Sequence, residues 1–230
     1  MTGTLLLNES DFVLGRLERP VLAQQVADAI VEAVAAGAIR PGERVTDSDI
    51  AERLGVSRNP VREAMKILEA QGIITNSPRR STHVVAFDQN KVDQIARVRV
   101  AIEKIAFGEA VERYAADSSL LRELDRIIAT MEQCAQQKDL DGITKADLAF
   151  HRAVCVASQN VIVLTLWETI ARHMRISFNL EIREDIAAPE GIPHHHRALR
   201  DALAGGVRSE VECEIERHIL RLRPPSALMR

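Results

Sequence analysis

The sequence predicts a mainly α protein: an N-terminal winged helix-turn-helix followed by an all-helical bundle of about six helices. Three observations predict it. Apolar residues recur at helical spacing over most of the chain. Between Asp49 and Gly72 two such patterns meet at a tight turn, and cationic side chains edge the second. Directly after Gly72 the pattern changes to short β-type runs split by turn formers.

In chain order, Met1 to Arg19 carries little pattern and reads as a flexible leader. From Pro20 to Ala36, Val26, Ala29, Ile30, Ala33 and Val34 form a helical stripe that Gly37 ends. Arg40-Pro41-Gly42-Glu43 reads as a turn, after which Thr46 or Asp47 caps the next helix. There Ile50, Ala51 and Leu54 give an apolar side, and Gly55 supplies the left-handed residue that ends it. Ser57 stands as N-cap of the following helix, its hydroxyl placed to accept a free amide of the first turn. Pro60 falls in that turn, where a missing N–H breaks no helical bond. Val61, Ala64, Met65 and Leu68 then form a buried face, while Arg58, Arg62 and Lys66 fall on another. A plain helical hairpin with a solvated charged face shows part of this pattern. The agreement of turn, cap, apolar stripe and basic edge favours a helix that enters the DNA major groove.

Ile73-Ile74-Thr75 and Thr82-His83-Val84-Val85-Ala86 read as a two-stranded wing with Arg79 and Arg80 at its tip. Behind a helix-turn-helix these arginines would reach phosphates or the minor groove; otherwise they are solvated on a surface hairpin. Phe87 to Asn90 closes this unit. Helices are then expected near residues 90–115, 118–137, 139–158, 160–182, 193–205 and 207–222. The domains are therefore read as 1–19 leader, 20–87 DNA-binding and 88–230 helical.

Composition limits the function classes. A hydrophobic share of 46% with 27% charged residues is ordinary for a globular protein, and no apolar run approaches a membrane span. Leu5-Leu6-Leu7 is too short for a signal-peptide core. With aromatics at 3%, a protein that stacks bases of single strands is disfavoured. Net charge is −3, yet six Lys/Arg stand against two acids between Arg53 and Arg80, so DNA affinity must be local. Cys134, Cys155 and Cys213 form no CxxC pair, which fits reduced thiols and a cytoplasmic location.

The helical half carries a second constellation. Asp147 and His151 share one helix face with Phe150 and Val154, and that face should point inward. His218 sits in a stripe with Val211, Ile215 and Leu222. His196 sits in one with Leu199 and Leu203, although His194 and His195 adjoin it and phase alone does not exclude them. Three histidines and an aspartate on three inward faces suit a divalent cation. A single inward histidine is more often a hydrogen-bonded core residue, so the argument rests on the group. Arg99 lies in a stripe with Val92, Ile95, Ile102 and Ala106. Either Glu103, one turn on, neutralises it, or it awaits the carboxylate of a small ligand. Cys155 borders the same region or serves as a small hydrophobe.

The chain resembles the GntR family of bacterial transcription regulators, in the subgroup with an all-helical FCD effector domain. The resemblance covers about residues 20–225. It rests on Ile39 to Arg44, Leu54 to Ala64 and Leu68 to Ile74 in the first half. In the second it rests on Arg99 to Glu103, Asp147 to His151, His196 to Leu199, and His218-Ile219. It implies that Arg58, Asn59 and Arg62 contact DNA and that Arg80 is the wing arginine. It also implies that Asp147, His151, His196 and His218 bind metal, which selects His196 among its neighbours. Ser81 stands where the family wing has glycine, and Asn59 where threonine is commoner. The resemblance further implies a homodimer on an inverted-repeat operator and a small carboxylate or sugar-acid effector.

The expectation is thus a ligand-responsive, DNA-binding regulator, a repressor released by its effector, and not an enzyme. Arg58, Asn59, Arg62, Lys66, Arg79 and Arg80 face double-stranded DNA. Asp147, His151, His196 and His218 hold a divalent metal ion, zinc first, with nickel, manganese or iron as alternatives. Arg99 anchors the effector. Two rivals remain: a regulator whose signal is the ion itself, and a metal-dependent hydrolase.

Overall fold

The computed structural model describes residues 21–76, 81–184 and 191–221. Apolar periodicity separates these residues into two hydrophobic clusters, one in the DNA-binding half and one in the helical half. Helix α1 (Val21–Ala35) presents Val26, Ile30 and Val34 to the first, against α3. Strand β1 (Arg44–Val45) leads into α2 (Asp47–Leu54), which Thr46 caps by accepting from the Asp49 amide. Gly55 adopts φ 65°, and the Val56 N–H returns to the Ala51 carbonyl, closing the helix as the glycine predicts. Helix α3 (Arg58–Ala70) buries Val61, Ala64 and Leu68, while Met65 is half-buried.

Two local expectations are corrected. Ser57 occupies the N-cap position but makes no side-chain capping hydrogen bond. Pro60 is the third residue of α3, so the amide that a capping hydroxyl commonly engages there is missing. Leu54 does not join Ile50 and Ala51 in the core. It is 40% exposed at the last residue of α2, where the helix ends without a covering neighbour.

The wing is three-stranded rather than two-stranded. Strands β2 (Ile74–Asn76) and β3 (Thr82–Val84) pair antiparallel, and β1 adds to the other edge of β3 with Arg44 opposite His83. Two residues are too few for a period-2 pattern, so β1 leaves no signal in the sequence. Arg79, Arg80 and the leader lie outside the described residues.

The helical half comprises α4 (Gln89–Ala116), α5 (Ser118–Gln136), α6 (Leu140–Ala157), α7 (Val161–Glu184), α8 (Gly191–Gly205) and α9 (Arg208–Arg221). Asp88, Asp117 and Asp139 cap the first three through their side chains. Each described helix falls within two residues of its expected bounds at either end.

Helix α7 joins the halves. Its Ile176 is fully buried in the cluster of the DNA-binding half, against the α1 side. Arg175, one residue earlier, donates to Glu32 of α1 (2.6 and 2.7 Å) and also to Asp141 of α6. Arg172 pairs with Asp28 at 2.9 Å. The two halves are therefore clamped by apolar burial and by bidentate arginine chemistry together.

Candidate DNA-binding face and metal-ligand cluster

Because α3 buries Val61, Ala64 and Leu68, its opposite face is left to solvent. Arg58, Asn59, Arg62 and Lys66 all lie on it and are exposed. Lys66 pairs with Glu63 at 2.8 Å, and Arg62 with Asp47 of α2 at 2.7 Å. A groove runs between α3 and the sheet, lined among others by Arg44, Asp47, Arg62, Lys66, Asn76 and Thr82. Arg44 is a basic residue of this groove that sequence reading passes over, since only the unforeseen β1 brings it there. At the base of the wing, Asn76 donates to Glu69 and Thr82 donates to Asn76, tying the hairpin to α3.

In the helical half, the inward phase of α6, α8 and α9 brings Asp147, His151, His196 and His218 together. One ligand atom from each lies within 4.8 Å of all the others, and the four side chains are buried. His196 is the member of its histidine run that joins. His194 is exposed and His195 half-buried.

The hydrogen bonds fix which ring nitrogens are available. His196 Nδ1 lies 2.8 Å from the Ile192 carbonyl, which can only accept, so Nδ1 carries a proton, and in the neutral ring Nε2 is then the lone-pair nitrogen. That Nε2 faces Asp147 Oδ1 at 3.0 Å. His151 Nδ1 lies 2.7 Å from Glu103 Oε2, a contact off the ideal N–H line that still places its proton on that side. His151 Nε2 then points to His218 Nε2 at 3.2 Å and to Asp147 Oδ1 at 3.9 Å. Lone pairs and a carboxylate oxygen thus converge, and His196 Nε2, Asp147 Oδ2 and His218 Nδ1 have no hydrogen-bond partner. Buried acceptors facing one another are costly, and a cation among them removes that cost.

Protonation agrees with such a role. Burial pushes the His151 and His218 imidazoles down, so they are neutral at neutral pH. For Asp147, burial acts to raise the pKa. His196, His151 and Arg99 outweigh it and hold the carboxyl well below the usual carboxylate range. The residues present therefore fit a divalent cation in both donor type and charge state.

Glu103 is the residue that sequence reading assigns too small a part. It does neutralise Arg99, accepting from Nε at 2.7 Å, and both side chains are buried. It also accepts from Trp167 Nε1 at 3.1 Å and orients His151. A carboxylate behind a ligating histidine is the usual way its ring is set. Burial acts to raise the Glu103 pKa, but Arg99 and His151 hold it below its ordinary value. Arg99 is not exhausted by this pair: its Nη2 is buried without a hydrogen-bond partner, 3.8 Å from Asp147 Oδ2. Cys155 is buried and burial pushes its thiol up, so it is a neutral core residue rather than a ligand.

A helix-turn-helix with a basic outer edge and a wing, joined to a helical domain with a polar centre, defines a DNA-binding regulator. The chain belongs to the GntR family of bacterial regulatory proteins, in the group that carries an FCD domain: the two family patterns match residues 22–84 and 94–221. It is similar to a probable D-xylose utilization operon transcriptional repressor of Paenarthrobacter nicotinovorans, 28% identical over 212 residues that cover 92% of each chain. It is also similar to the gluconate operon transcriptional repressor of Bacillus subtilis, 27% identical over 150 residues, 65% of this chain and 60% of that one. Among solved structures, Escherichia coli McbR/YncC superposes with a TM-score of 0.76 at 23% identity, covering 87% of this chain and 94% of that one. The protein is a transcription regulator, and its relatives are regulators rather than enzymes.

Proposed function

We propose that this regulator is a homodimeric repressor whose helical half holds a divalent metal ion, zinc first, and senses a small carboxylate or sugar acid. The observation that carries the reading is the convergence of His151 Nε2, His196 Nε2 and Asp147 Oδ1 in one buried site, where each ring's other nitrogen faces an acceptor of its own. Asp147, His151, His196 and His218 would hold the ion, which supplies positive charge and an open position for an anionic group. Arg99 Nη2 is the donor left over for such a ligand, and this favours a carboxylate over the ion alone as signal. The relative named as a gluconate operon repressor supports the sugar-acid class, and that relative and the one named for a D-xylose operon, whose sugar is uncharged, both support the repressor sign. None of the described helices is long and apolar enough to cross a membrane, in keeping with a cytoplasmic site of action.

The DNA reading is tested with Arg58→Ala in a mobility-shift titration. Each arginine that reads a guanine edge contributes about 1–3 kcal/mol of discrimination, so affinity should fall at least about fivefold per head. Salt-dependent binding that survives unchanged would remove Arg58 from the recognition helix. Comparing operator affinity of metal-free, metal-loaded and carboxylate-loaded protein then separates a small-molecule regulator from a metal sensor. Weaker binding only in the third state is expected; a change complete on metal loading alone would make the ion the signal.

The dimer is proposed to form across α4 and α7, which pack on one another and leave large apolar side chains in solvent. Val98 and Ile105 of α4 are each 46% exposed, and Ile162 and Leu166 of α7 are 74% and 51% exposed. Ile162→Asp should convert the dimer to monomer in light scattering. It should also weaken operator binding by about a hundredfold, since the second head then loses its effective concentration. A dimer of unchanged mass would place the interface elsewhere.

A further inference from the structure

The pairing of Arg62 with Asp47 is unexplained by stability. Exposed ion pairs add little to folding, and Arg62 is 60% exposed beside a carboxylate that is 27% exposed. It also sits where it is least expected: an acidic group lining a groove that should meet phosphates repels them. We infer that Asp47 is a positioning residue for DNA readout, which holds Arg62 by its Nε so that the two terminal Nη groups form the reading edge. The inference rests on α3 being the recognition helix.

The geometry is specific. Arg62 Nε donates to Asp47 Oδ2 at 2.7 Å, across fifteen residues of sequence and from one helix to the other. Asp47 is the first residue of α2, directly after the Thr46 cap, so its backbone is fixed by the helix start. Its carboxyl is held below the usual range, first by the Arg62 hydrogen bond and further by Arg58 nearby, and is charged at neutral pH. A guanidinium has five donors in a rigid fork. With Nε taken, the Nη pair matches the two acceptors, O6 and N7, that guanine shows in the major groove. An unclamped arginine loses rotamer freedom when it docks; a clamped one has lost it already. The carboxylate therefore has two effects of opposite sign. It raises affinity where a guanine meets Arg62, and lowers affinity for phosphate everywhere.

That opposition supplies the test. The full-length protein selects duplexes from a randomised pool, and binding of the selected duplex and of an unrelated one is measured over several salt concentrations. Asp47→Asn should weaken the selected duplex about five- to tenfold, and tighten the unrelated one about twofold by removing a repulsive charge. Reselection with this variant should relax the same base position that Arg62→Ala relaxes. Asp47→Glu, which keeps the carboxylate, should regain part of the discrimination. Tighter or equal binding of the selected duplex by Asp47→Asn, with the same preferred sequence, would make Asp47 a competitor for Arg62 and overturn the inference. Equal weakening of both duplexes would overturn it too. If Arg62→Ala itself binds and selects as the wild type does, the recognition-helix reading fails instead, and the two failures are told apart.

Discussion

Glu103→Gln should lower the stability of the folded chain by about 3–5 kcal/mol, the cost of leaving a buried charge without its partner. The substitution keeps the size of the side chain and an oxygen for Trp167 Nε1, so packing changes little. What disappears is the counter-charge of Arg99, whose side chain is only 2% exposed and cannot turn to water. Asp147 lies 3.8 Å from Arg99 Nη2 and would compensate in part. Its carboxylate would then be shared between Arg99 and a cation, so the variant should also bind metal more weakly. Urea unfolding with an unchanged slope and a lower midpoint is the expected result. A midpoint equal to that of the wild type would mean that Asp147, rather than Glu103, is the true partner of Arg99.

Stripping and restoring the metal should produce the second large effect. A ligand that binds only the folded state stabilises it by about 4 kcal/mol at a thousand times its dissociation constant. For a chain of this size, that corresponds to a melting temperature higher by roughly 8–16 °C in the loaded protein. The rise should saturate at one ion per chain and should vanish in Asp147→Ala, which removes the anionic member of the cluster. Cobalt substitution gives an independent readout, since its visible absorption reports histidine coordination without reference to DNA binding. Absence of stoichiometric metal together with an unchanged melting temperature would leave a buried polar cluster and no cation site.

Much of this was legible in the residues because the helices are long and their apolar stripes regular. Asp147 and His151 could be placed on one face by counting, as could Arg99 with Ile95 and Ile102. Caps such as Asp88 and the left-handed Gly55 are local chemistry, and local chemistry is what a single sequence displays. The failures share the opposite cause. Strand β1 exists only because β3 offers it an edge, and Arg44 enters the groove only with it. Glu103 is explained as a partner for Arg99 within one helix, so nothing prompts a search for Trp167 or His151 on two others. The pairs Arg172–Asp28 and Arg175–Glu32 span 144 and 143 residues, and no periodicity connects positions so far apart. Ser57 shows a failure within one turn, where the neighbour Pro60 removes an amide the serine would have used.

Ile176 belongs by sequence to the helical half but by packing to the core of the other. The DNA-reading unit is therefore not a transferable cassette. Cut after Phe87 and spliced to a foreign sensor, it would lose part of its own interior and open an apolar gap to water. Arg175 and Arg172 would go with it, and Glu32 and Asp28 would be left facing solvent alone. A working chimera would have to carry this turn of α7 across the junction, which makes the boundary between the DNA-binding and helical halves a matter of shared side chains rather than of a linker.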